Sequence, residues 1–385
     1  MYNLETIIEE NIAKALNSAG DSYKNKGDLK MSKKLYLESL KLREGLSKID
    51  KIYYQPLVAE TFNSLAIVSK EANEYDLAIR YYKKSIFSIR KLFKNDLKYT
   101  TLLAVKYTDI ANLYRRDYKY AQAEFFYNQA LRTYKKLPQE DFNKAQIQVL
   151  NIYNYLSIIC NEKNKFQETK DSYMGALHIY QNLVDESSNK YKPELAMTLY
   201  SLAGLYFKNN RENKAGEVYL LALEILLYLE QKEPRQYKET LALTFHHLAQ
   251  IYTTQHEYPD ALSAYRESLN HYIELAEEEP TKYGPKIAIL FKNLASFYKG
   301  QNKKDLAEYF YLRLIELYSE LHHYNESAYA LKLASSIIDG VTNYHQHTLS
   351  LYQAEAIING CQDNIQVDEL VEKIYCLRQE KSPVS

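Results

Sequence analysis

The chain has 385 residues, with 39 Tyr, no Trp, ten Gly and eight Pro. So little Gly and Pro, set against abundant Leu, Lys, Glu and Ala, indicates long helices joined by short turns. Lys plus Arg equal Asp plus Glu at 49 each, so no overall positive field draws nucleic acid or an anionic membrane to the surface. We therefore expect neither nucleic acid nor a membrane as a partner.

The first residues and the cysteines indicate a reducing compartment. The opening MYNLETIIEENIAKAL lacks a basic start followed by an unbroken apolar stretch, and no later segment reaches about eighteen consecutive apolar residues. The three cysteines, Cys160, Cys361 and Cys376, are an odd number at unrelated spacings and predict no disulfide or zinc framework. We expect a cytoplasmic protein.

A short phrase of Leu, a small residue, two variable residues and Tyr recurs along the chain. It reads IANLY at 110–114, LAGLY at 202–206, LAQIY at 248–252 and LASFY at 294–298, with weaker relatives at 19–23, 65–69 and 156–160. The small residue serves as an anchor at seven positions: Gly20, Ala66, Ala111, Ser157, Ala203, Ala249 and Ala295. The steps between anchors are 46, 45, 46, 46, 46 and 46 residues, which indicates a repeated packing unit.

Other residue types recur at fixed offsets from the anchors. Sixteen residues after each anchor stand the ladder tyrosines Tyr36, Tyr82, Tyr127, Tyr173, Tyr219, Tyr265 and Tyr311. Twelve after stand the small residues Ser32, Ala78, Ala123, Thr169, Ala215, Ala261 and Ala307. Twelve before five of the anchors stand the connector tyrosines Tyr54, Tyr99, Tyr191, Tyr237 and Tyr283, and the fourth repeat has Ala145 there instead.

These offsets predict a pair of antiparallel helices in each repeat. Small residues belong where two helix backbones approach closely, and large residues fill the neighbouring gap. We expect the ladder tyrosines to be buried in this core, with their hydroxyls reaching water or a backbone carbonyl, rather than to stack on nucleic acid bases. Polar stretches at 25–28, 73–76, 209–212 and 301–304 separate the first helix from the second.

The predicted organisation has three parts. Residues 1–11 extend the opening helix, and residues 12–320 form seven repeats of about 46 residues. Beyond Leu321 the spacing fails, although 325–339, 344–359 and 364–378 still have the apolar spacing of helices. We expect 321–385 to hold a degenerate repeat and capping helices, followed by a short disordered tail, because an array needs an end that covers its last apolar face.

The motif resembles the tetratricopeptide repeat family over residues 12–320, with Leu, a small residue and Tyr followed by Ala, an aromatic residue and Ala. The period is longer than the standard one of that family and is similar to the long-helix arrays of the kinesin light chain kind. The resemblance implies an all-α, right-handed α-solenoid (superhelix) of about seven helix-turn-helix units with C-terminal capping helices. It also implies a concave groove, lined by the first helices, that holds peptides or helices of other proteins.

The family's groove positions, carried onto this sequence by their offsets from the anchors, predict the residues that contact a partner. Three before the anchors these are Asn17, Asn63, Thr108, Asn154, Tyr200, His246 and Lys292. The positions four after include Lys24, Lys70, Arg115, Asn161, Phe207 and Lys299, and the positions one after include Asn112 and Gln250. Asparagine amides can hold the backbone of an extended peptide. The alternative is that any solvated helix face carries such polar residues.

The amino-terminal and carboxy-terminal halves of this predicted groove differ in character. Lys24, Lys70 and Arg115 form a basic ladder that favours an acidic peptide or a phosphate group, although exposed cations are also the commonest way to solvate a helix. Tyr200 and Phe207 indicate a more apolar groove in the second half, suited to an amphipathic helix.

The sequence offers no catalytic or metal-binding pattern. It has no glycine-rich phosphate loop, no HExxH and no GxSxG. The pairs His246-His247 and His322-His323 point about 100° apart on a helix, and His345 with His347 has no carboxylate or cysteine at ligand spacing. We therefore predict no enzyme, no cofactor and no metal.

The predicted function is a protein-protein interaction scaffold or adaptor that holds a protein segment in its groove. The alternative is a regulatory sensor that binds a signalling peptide and changes its superhelical shape. The sequence leaves the oligomeric state open.

Overall fold

The computed structural model describes residues 4–90, 97–187, 190–343, 351–361 and 365–381, and all regular structure in these ranges is α-helical. The helices are α1 Leu4–Asn25, α2 Leu29–Ile49, α3 Lys51–Glu71, α4 Tyr75–Arg90, α5 Leu97–Arg116, α6 Tyr120–Tyr134, α7 Gln139–Lys144, α8 Gln146–Glu162, α9 Phe166–Ser187, α10 Lys192–Lys208, α11 Glu212–Lys232, α12 Lys238–Thr254, α13 Tyr258–Ala276, α14 Pro280–Gly300, α15 Lys304–Tyr324, α16 Glu326–Asn343, α17 Leu351–Asn359 and α18 Ile365–Lys381. None of these helices combines the length and apolarity needed to span a bilayer.

The helices form a repeated stack, which confirms the predicted all-α solenoid class. Seven consecutive pairs each carry one anchor in the first helix: α1–α2, α3–α4, α5–α6, α8–α9, α10–α11, α12–α13 and α14–α15. The chain divides into two compact units, unit 1 from Met1 to Asn182 and unit 2 from Leu183 to Ser385.

Close contact between the two helices of a repeat depends on the small residues. In the first repeat, the Ser32 hydroxyl donates to the Gly20 carbonyl at 2.8 Å, and the Ser39 hydroxyl donates to the Ala13 carbonyl at 2.7 Å. A later position on α2 thus meets an earlier one on α1, so the helices are antiparallel. The bond from Ser39 to Ala13 has equivalents in two other repeats, where the Ser85 hydroxyl donates to the Ala59 carbonyl and the Ser268 hydroxyl donates to the Ala242 carbonyl.

The ladder tyrosines fill the space beside these contacts, as the offsets predicted. Six of them are buried, whereas Tyr173 in the fourth repeat is half-buried. In the first repeat the ring lies so close to the anchor that a Cβ atom on Gly20 would stand 2.7 Å from Cε1 of Tyr36. This repeat therefore needs glycine where the others carry alanine or serine.

Two of the connector tyrosines join consecutive repeats within a unit. The Tyr54 hydroxyl, at the start of the second repeat, donates to Oε2 of Glu10 in the first repeat at 2.9 Å. The same bond joins the seventh repeat to the sixth, from the Tyr283 hydroxyl to Oε2 of Glu239 at 3.0 Å. Each bond adds a polar contact to the apolar contact between neighbouring repeats.

A left-handed residue ends the first helix of every repeat. It stands seven residues after each anchor, at Gly27, Asn73, Tyr118, Asn164, Asn210, His256 and Asn302, with φ between 53° and 83°. In the first repeat the Asp28 amide donates to the Tyr23 carbonyl at 3.0 Å, the bond that closes a Schellman cap. Glycine and asparagine adopt this conformation most easily, which explains why the polar stretches predicted these turns.

One helix between the third and fourth repeats was not predicted. The second helix of the third repeat, α6, ends early at Tyr134, and a short helix α7 spans Gln139–Lys144. Pro138 precedes α7, and Glu140 pairs with Lys144 at 2.9 Å across one turn. Proline and an i,i+4 ion pair both favour a helix at this place.

The residues after the seventh repeat pack onto it as three further helices. Leu333, Ile337 and Ile338 of α16 share an apolar core with Leu314 and other residues of α15, and this core extends to α17 and α18. Helices α16 and α18 lie close to the ranges predicted from apolar spacing, and α17 covers the later part of the predicted 344–359. Residues 344–350 of that prediction and the last four residues of the chain, where a disordered tail was expected, lie outside the described residues. The last repeat thus has its apolar face covered.

Replacing Gly27 by alanine should lower the free energy of unfolding by about 1 kcal/mol, because Gly27 has a φ of 83° that a Cβ disfavours. The loss should appear as a lower midpoint of guanidinium denaturation. The same change at Gly45, in the interior of α2 with open space around it, should raise the free energy of unfolding by a similar amount. Equal effects of the two variants would contradict the role assigned to the left-handed position.

Candidate partner-binding surfaces

The predicted groove residues of unit 1 all lie on the first helices of their repeats. Asn17 is buried and Asn161 is exposed. The remaining residues are half-buried: Lys24, Asn63, Lys70, Thr108, Asn112, Arg115 and Asn154. A half-buried polar side chain has one part for internal contacts and another part for a partner, so the internal contacts decide what each residue can still offer.

Three of the predicted asparagines form hydrogen bonds inside the protein. Asn63 Oδ1 accepts from Lys106 Nζ at 2.7 Å, and Asn112 Oδ1 accepts from the Tyr127 hydroxyl at 2.6 Å. Asn154 Nδ2 donates to a tyrosine hydroxyl of α9 at 3.3 Å. Each amide has further hydrogen-bonding capacity, so Asn63 and Asn112 can still donate to a peptide carbonyl. The Tyr127 hydroxyl therefore reaches a side chain, and not the water or backbone carbonyl expected from the sequence.

Arg115 is the most strongly oriented of the predicted cations. Its guanidinium lies 4.3 Å from the ring centroid of Tyr155 in the next repeat. Its Nε is buried and has no hydrogen-bond partner within the described part of the chain. Stacking fixes the plane of a guanidinium, and a hydrogen bond with Tyr127 engages part of it, so the unpaired Nε is the donor that a carboxylate or phosphate would satisfy. Arg116, beside it, points elsewhere and lies 4.7 Å from the Tyr75 ring.

A buried lysine, Lys106, holds Asn63 by a hydrogen bond, and it was not among the residues predicted from the sequence. Lys106 is 1% exposed, and burial lowers the pKa of its ammonium to about 8, although the charges of Asp109 and Glu60 oppose that shift. Burial also raises the pKa of Asp109, against the charges of Lys70 and Lys106. The signal available in the sequence was a Lys and an Asp in α5 just before the apolar phrase at 110–114.

The predicted residues of unit 2 include an aromatic group, a half-buried Gln250 and two exposed lysines. The ring of Tyr200 lies 5.6 Å from that of Tyr219, and the rings of Phe207 and Tyr219 lie 5.4 Å and 5.2 Å from His247. His247 was not among the predicted residues, but it brings Tyr200 and Phe207 together. Lys292 and Lys299 are exposed, apart from these ring contacts.

The aromatic group contains buried polar atoms. The Tyr219 hydroxyl and His247 Nδ1 have no hydrogen-bond partner within the described residues. Burial lowers the pKa of His247, and a hydrogen bond with Gln250 opposes the shift. The group is thus apolar in area but holds two polar atoms that a partner can satisfy.

His246 is neutral at pH 7 in this structure. Burial lowers its pKa to about 4, with further contributions from His247 and Lys286. Its Nε2 lies 2.6 Å from Nδ2 of Asn293 in the next repeat. An amide nitrogen only donates, so Nε2 accepts and the ring proton resides on Nδ1. His246 therefore links two repeats of unit 2.

No group of three or more potential metal ligands occurs within the described residues. His246 and His247 have ring centroids 5.8 Å apart and stack on each other. His345 and His347, the pair considered in the sequence, lie outside the described residues.

Two sequence models described as tetratricopeptide repeat match the chain, one over residues 13–45 and the other over residues 241–279. The first range contains Gly20 and Tyr36, and the second contains Ala249 and Tyr265. No curated protein sequence matches the chain.

Solved structures with some similarity include BtubC (BKLC) from P. vanneervenii, with 22% identity, 64% of this chain and 92% of that chain covered, and a TM-score of 0.39. The apo form of RapI has 16% identity, covers 83% of this chain and 99% of its own, and has a TM-score of 0.41. A putative kinesin light chain repeat protein from Podosopora anserina has 13% identity, 58% and 98% coverage, and a TM-score of 0.39. Similarity at this level transfers no partner or activity to the present chain.

Raising the pH from about 7.5 to about 9.5 should increase the free energy of unfolding of the wild type more than that of Lys106→Met, by on the order of 1–2 kcal/mol. The folded pKa of Lys106, about 8, lies below its ordinary value of 10.5, so the unfolded chain retains a proton that the folded chain releases. Denaturation at both pH values measures this, with the exposed Lys34→Met as the control. If the free energy of unfolding of Lys106→Met changed with pH as steeply as that of the wild type, the lowered pKa of Lys106 would be contradicted.

Lowering the pH from about 7 to about 5 should destabilise the chain, and His246→Gln should reduce the loss by on the order of 2 kcal/mol. The folded pKa of about 4 lies below the ordinary value of 6.5, so stability is complete above pH 6.5 and is lost as the pH falls toward 4. Denaturation of both proteins tests this, and His178→Gln, at an exposed position within α9, is expected to behave as the wild type.

Proposed function

We propose that this chain, which belongs to the tetratricopeptide repeat family, binds a segment of another protein along the first helices of its repeats and performs no reaction on it. The family membership predicted from the repeated motif is confirmed by the matches at residues 13–45 and 241–279. The tetratricopeptide repeat is in general a fold for protein interaction, because stacked helices form an extended surface. We further propose that the chain acts in the cytoplasm.

Arg115 is the observation that carries the proposal for unit 1. Its guanidinium is held over the Tyr155 ring, yet its buried Nε lacks a partner within the described residues. A buried donor without an acceptor costs about 1–3 kcal/mol, which a bound acceptor recovers. A carboxylate fits a guanidinium better than any neutral acceptor does. This supports an acidic residue of the partner at this position.

The neighbouring amides supply the means to hold a peptide backbone. Asn63 and Asn112 are fixed by Lys106 and Tyr127 through their oxygens. An amide that is fixed in this way loses less freedom on binding, so its remaining donor capacity is worth more to a ligand. Together with Arg115, these residues suit an extended segment that carries at least one acidic side chain.

The aromatic group of unit 2 favours a different part of the partner. Tyr200, Phe207, Tyr219 and His247 form a set of rings in mutual contact. Rings of this kind anchor apolar side chains, and the buried Tyr219 hydroxyl and His247 Nδ1 can bind a polar group beside them. An amphipathic segment has both features.

Arg115→Gln should weaken binding of acidic peptides by about tenfold, because it removes the charge and the guanidinium fork. The measurement is fluorescence anisotropy of the purified full-length chain with a random peptide library in which one position is fixed as glutamate. The matched control is Arg116→Gln on the same helix, which is expected to change affinity by less than about twofold.

Equal losses in the two arginine variants, or equal binding of libraries fixed as glutamate and glutamine, would overturn the assignment of an acidic partner. Failure of every library to bind would overturn the binding function itself. Small-angle scattering with and without a bound peptide then separates an adaptor, whose shape is unchanged, from the sensor alternative, whose shape changes.

A further inference from the structure

A polar cavity of about 340 Å³ lies in unit 1 between the first two repeats. Its walls come from α1, α2 and α3, and they include three carboxylates, those of Glu10, Asp21 and Glu60. The cavity is near the lower limit of small-molecule sites, so its volume suits one long side chain better than a folded element. It lies at the Asn17 end of the predicted groove.

Asn17 presents an unused acceptor in this cavity. The residue is 9% exposed and lines the cavity, and its Oδ1 has no hydrogen-bond partner within the described residues. A buried carbonyl-type oxygen is costly to leave unpaired. The atom therefore indicates a ligand that donates an N–H or O–H group.

The carboxylates beside Asn17 are held in place by tyrosine hydroxyls. Tyr53 and Tyr54 donate to the two oxygens of Glu10 at 3.0 and 2.9 Å. Tyr36 donates to Asp21 Oδ1 at 2.6 Å. Neutral hydroxyls orient a carboxylate without cancelling its charge, so both groups remain available to a cation.

Two cations, Lys14 and Arg43, also line the cavity, so the three carboxylates exceed the cations by one charge. Arg43 is 6% exposed, and its Nη1 already donates to the Leu57 carbonyl at 2.9 Å, to Thr61 at 2.8 Å and to Glu60 at 3.3 Å. Arg43 thus pairs most closely with Glu60, and the charges of Asp21 and Glu10 act on it more weakly. Lys14 is exposed, where solvent screens its charge from Glu10 and Asp21.

We propose that this cavity takes a positively charged side chain, an arginine or a lysine, of the protein segment that the chain binds; the inference rests on the proposed binding function. Both side chains donate several N–H groups from a cation at the end of a flexible stem. Such a group satisfies Asn17 Oδ1 and contacts Asp21 and Glu10 at the same time. The excess of carboxylates over cations in the lining disfavours an anion.

The test replaces Asp21 by asparagine in the full-length chain. The third repeat has asparagine at the equivalent position, where Asn112 accepts the Tyr127 hydroxyl at 2.6 Å, the same length as the bond from Tyr36 to Asp21. Asp21→Asn should therefore keep this hydrogen bond and the fold, and should remove only the charge. Glu38→Gln, at an exposed position on α2, is the matched control.

The probes are random peptide libraries with one position fixed as arginine, lysine, citrulline or glutamate, measured by fluorescence anisotropy. Arginine or lysine libraries should bind about tenfold more tightly than the citrulline library, which has the same shape as arginine without its charge. Asp21→Asn should remove this preference, and Glu38→Gln should preserve it. Either cation as the preferred one supports the proposal.

Equal binding of the arginine, lysine and citrulline libraries to the wild type would overturn the cation site. The cation site would also be overturned if Asp21→Asn changed the affinity for charged and uncharged libraries equally. If the glutamate library still binds through Arg115 in those cases, the binding function stands and only this inference fails. If no library binds, both proposals fail together.

Discussion

The structure depends on the close approach of two helices at small residues, beside which a tyrosine ring is packed. Serine or alanine at the contact lets the second helix of each repeat lie directly on the backbone of the first, and the serine hydroxyls then reach backbone carbonyls at 2.6–2.8 Å. A larger side chain at these positions would separate the helices and leave a gap beside the ring. The faces of the first helices that do not contact the second helices are what the chain can offer to a partner.

This constraint explains why the fold could be predicted from the sequence. The anchors, the small residues twelve positions after them and the ladder tyrosines recur at fixed offsets because the two helices pack in the same way in every repeat. The left-handed turn recurs with them, at positions such as Gly27 and Asn73. The short helix α7 could not be predicted in this way. It occurs once, and it depends on Pro138 and one ion pair, which are local signals that no other repeat reinforces.

The candidate surfaces were predicted less completely, for a physical reason. Offsets place a residue on a helix face, but they do not say whether its polar group is already used. Asn63 and Asn112 have the same chemistry as any exposed asparagine, and only the structure shows Lys106 and Tyr127 bonded to them. Likewise His247 becomes relevant through the rings that surround it. The predicted groove residues remain a prediction, whose test lies in binding.

The connector tyrosines have a consequence for how such an array can change in length. The bonds from Tyr54 to Glu10 and from Tyr283 to Glu239 each reach back across 44 residues. Duplication of a whole repeat copies the donor and the acceptor together, so the new junction is bonded from the outset. An insertion of a few residues instead turns the tyrosine away from its carboxylate. The connector that has Ala145 in place of the tyrosine is also where α6 ends early and α7 forms, so an insertion or loss there breaks no bond of this kind.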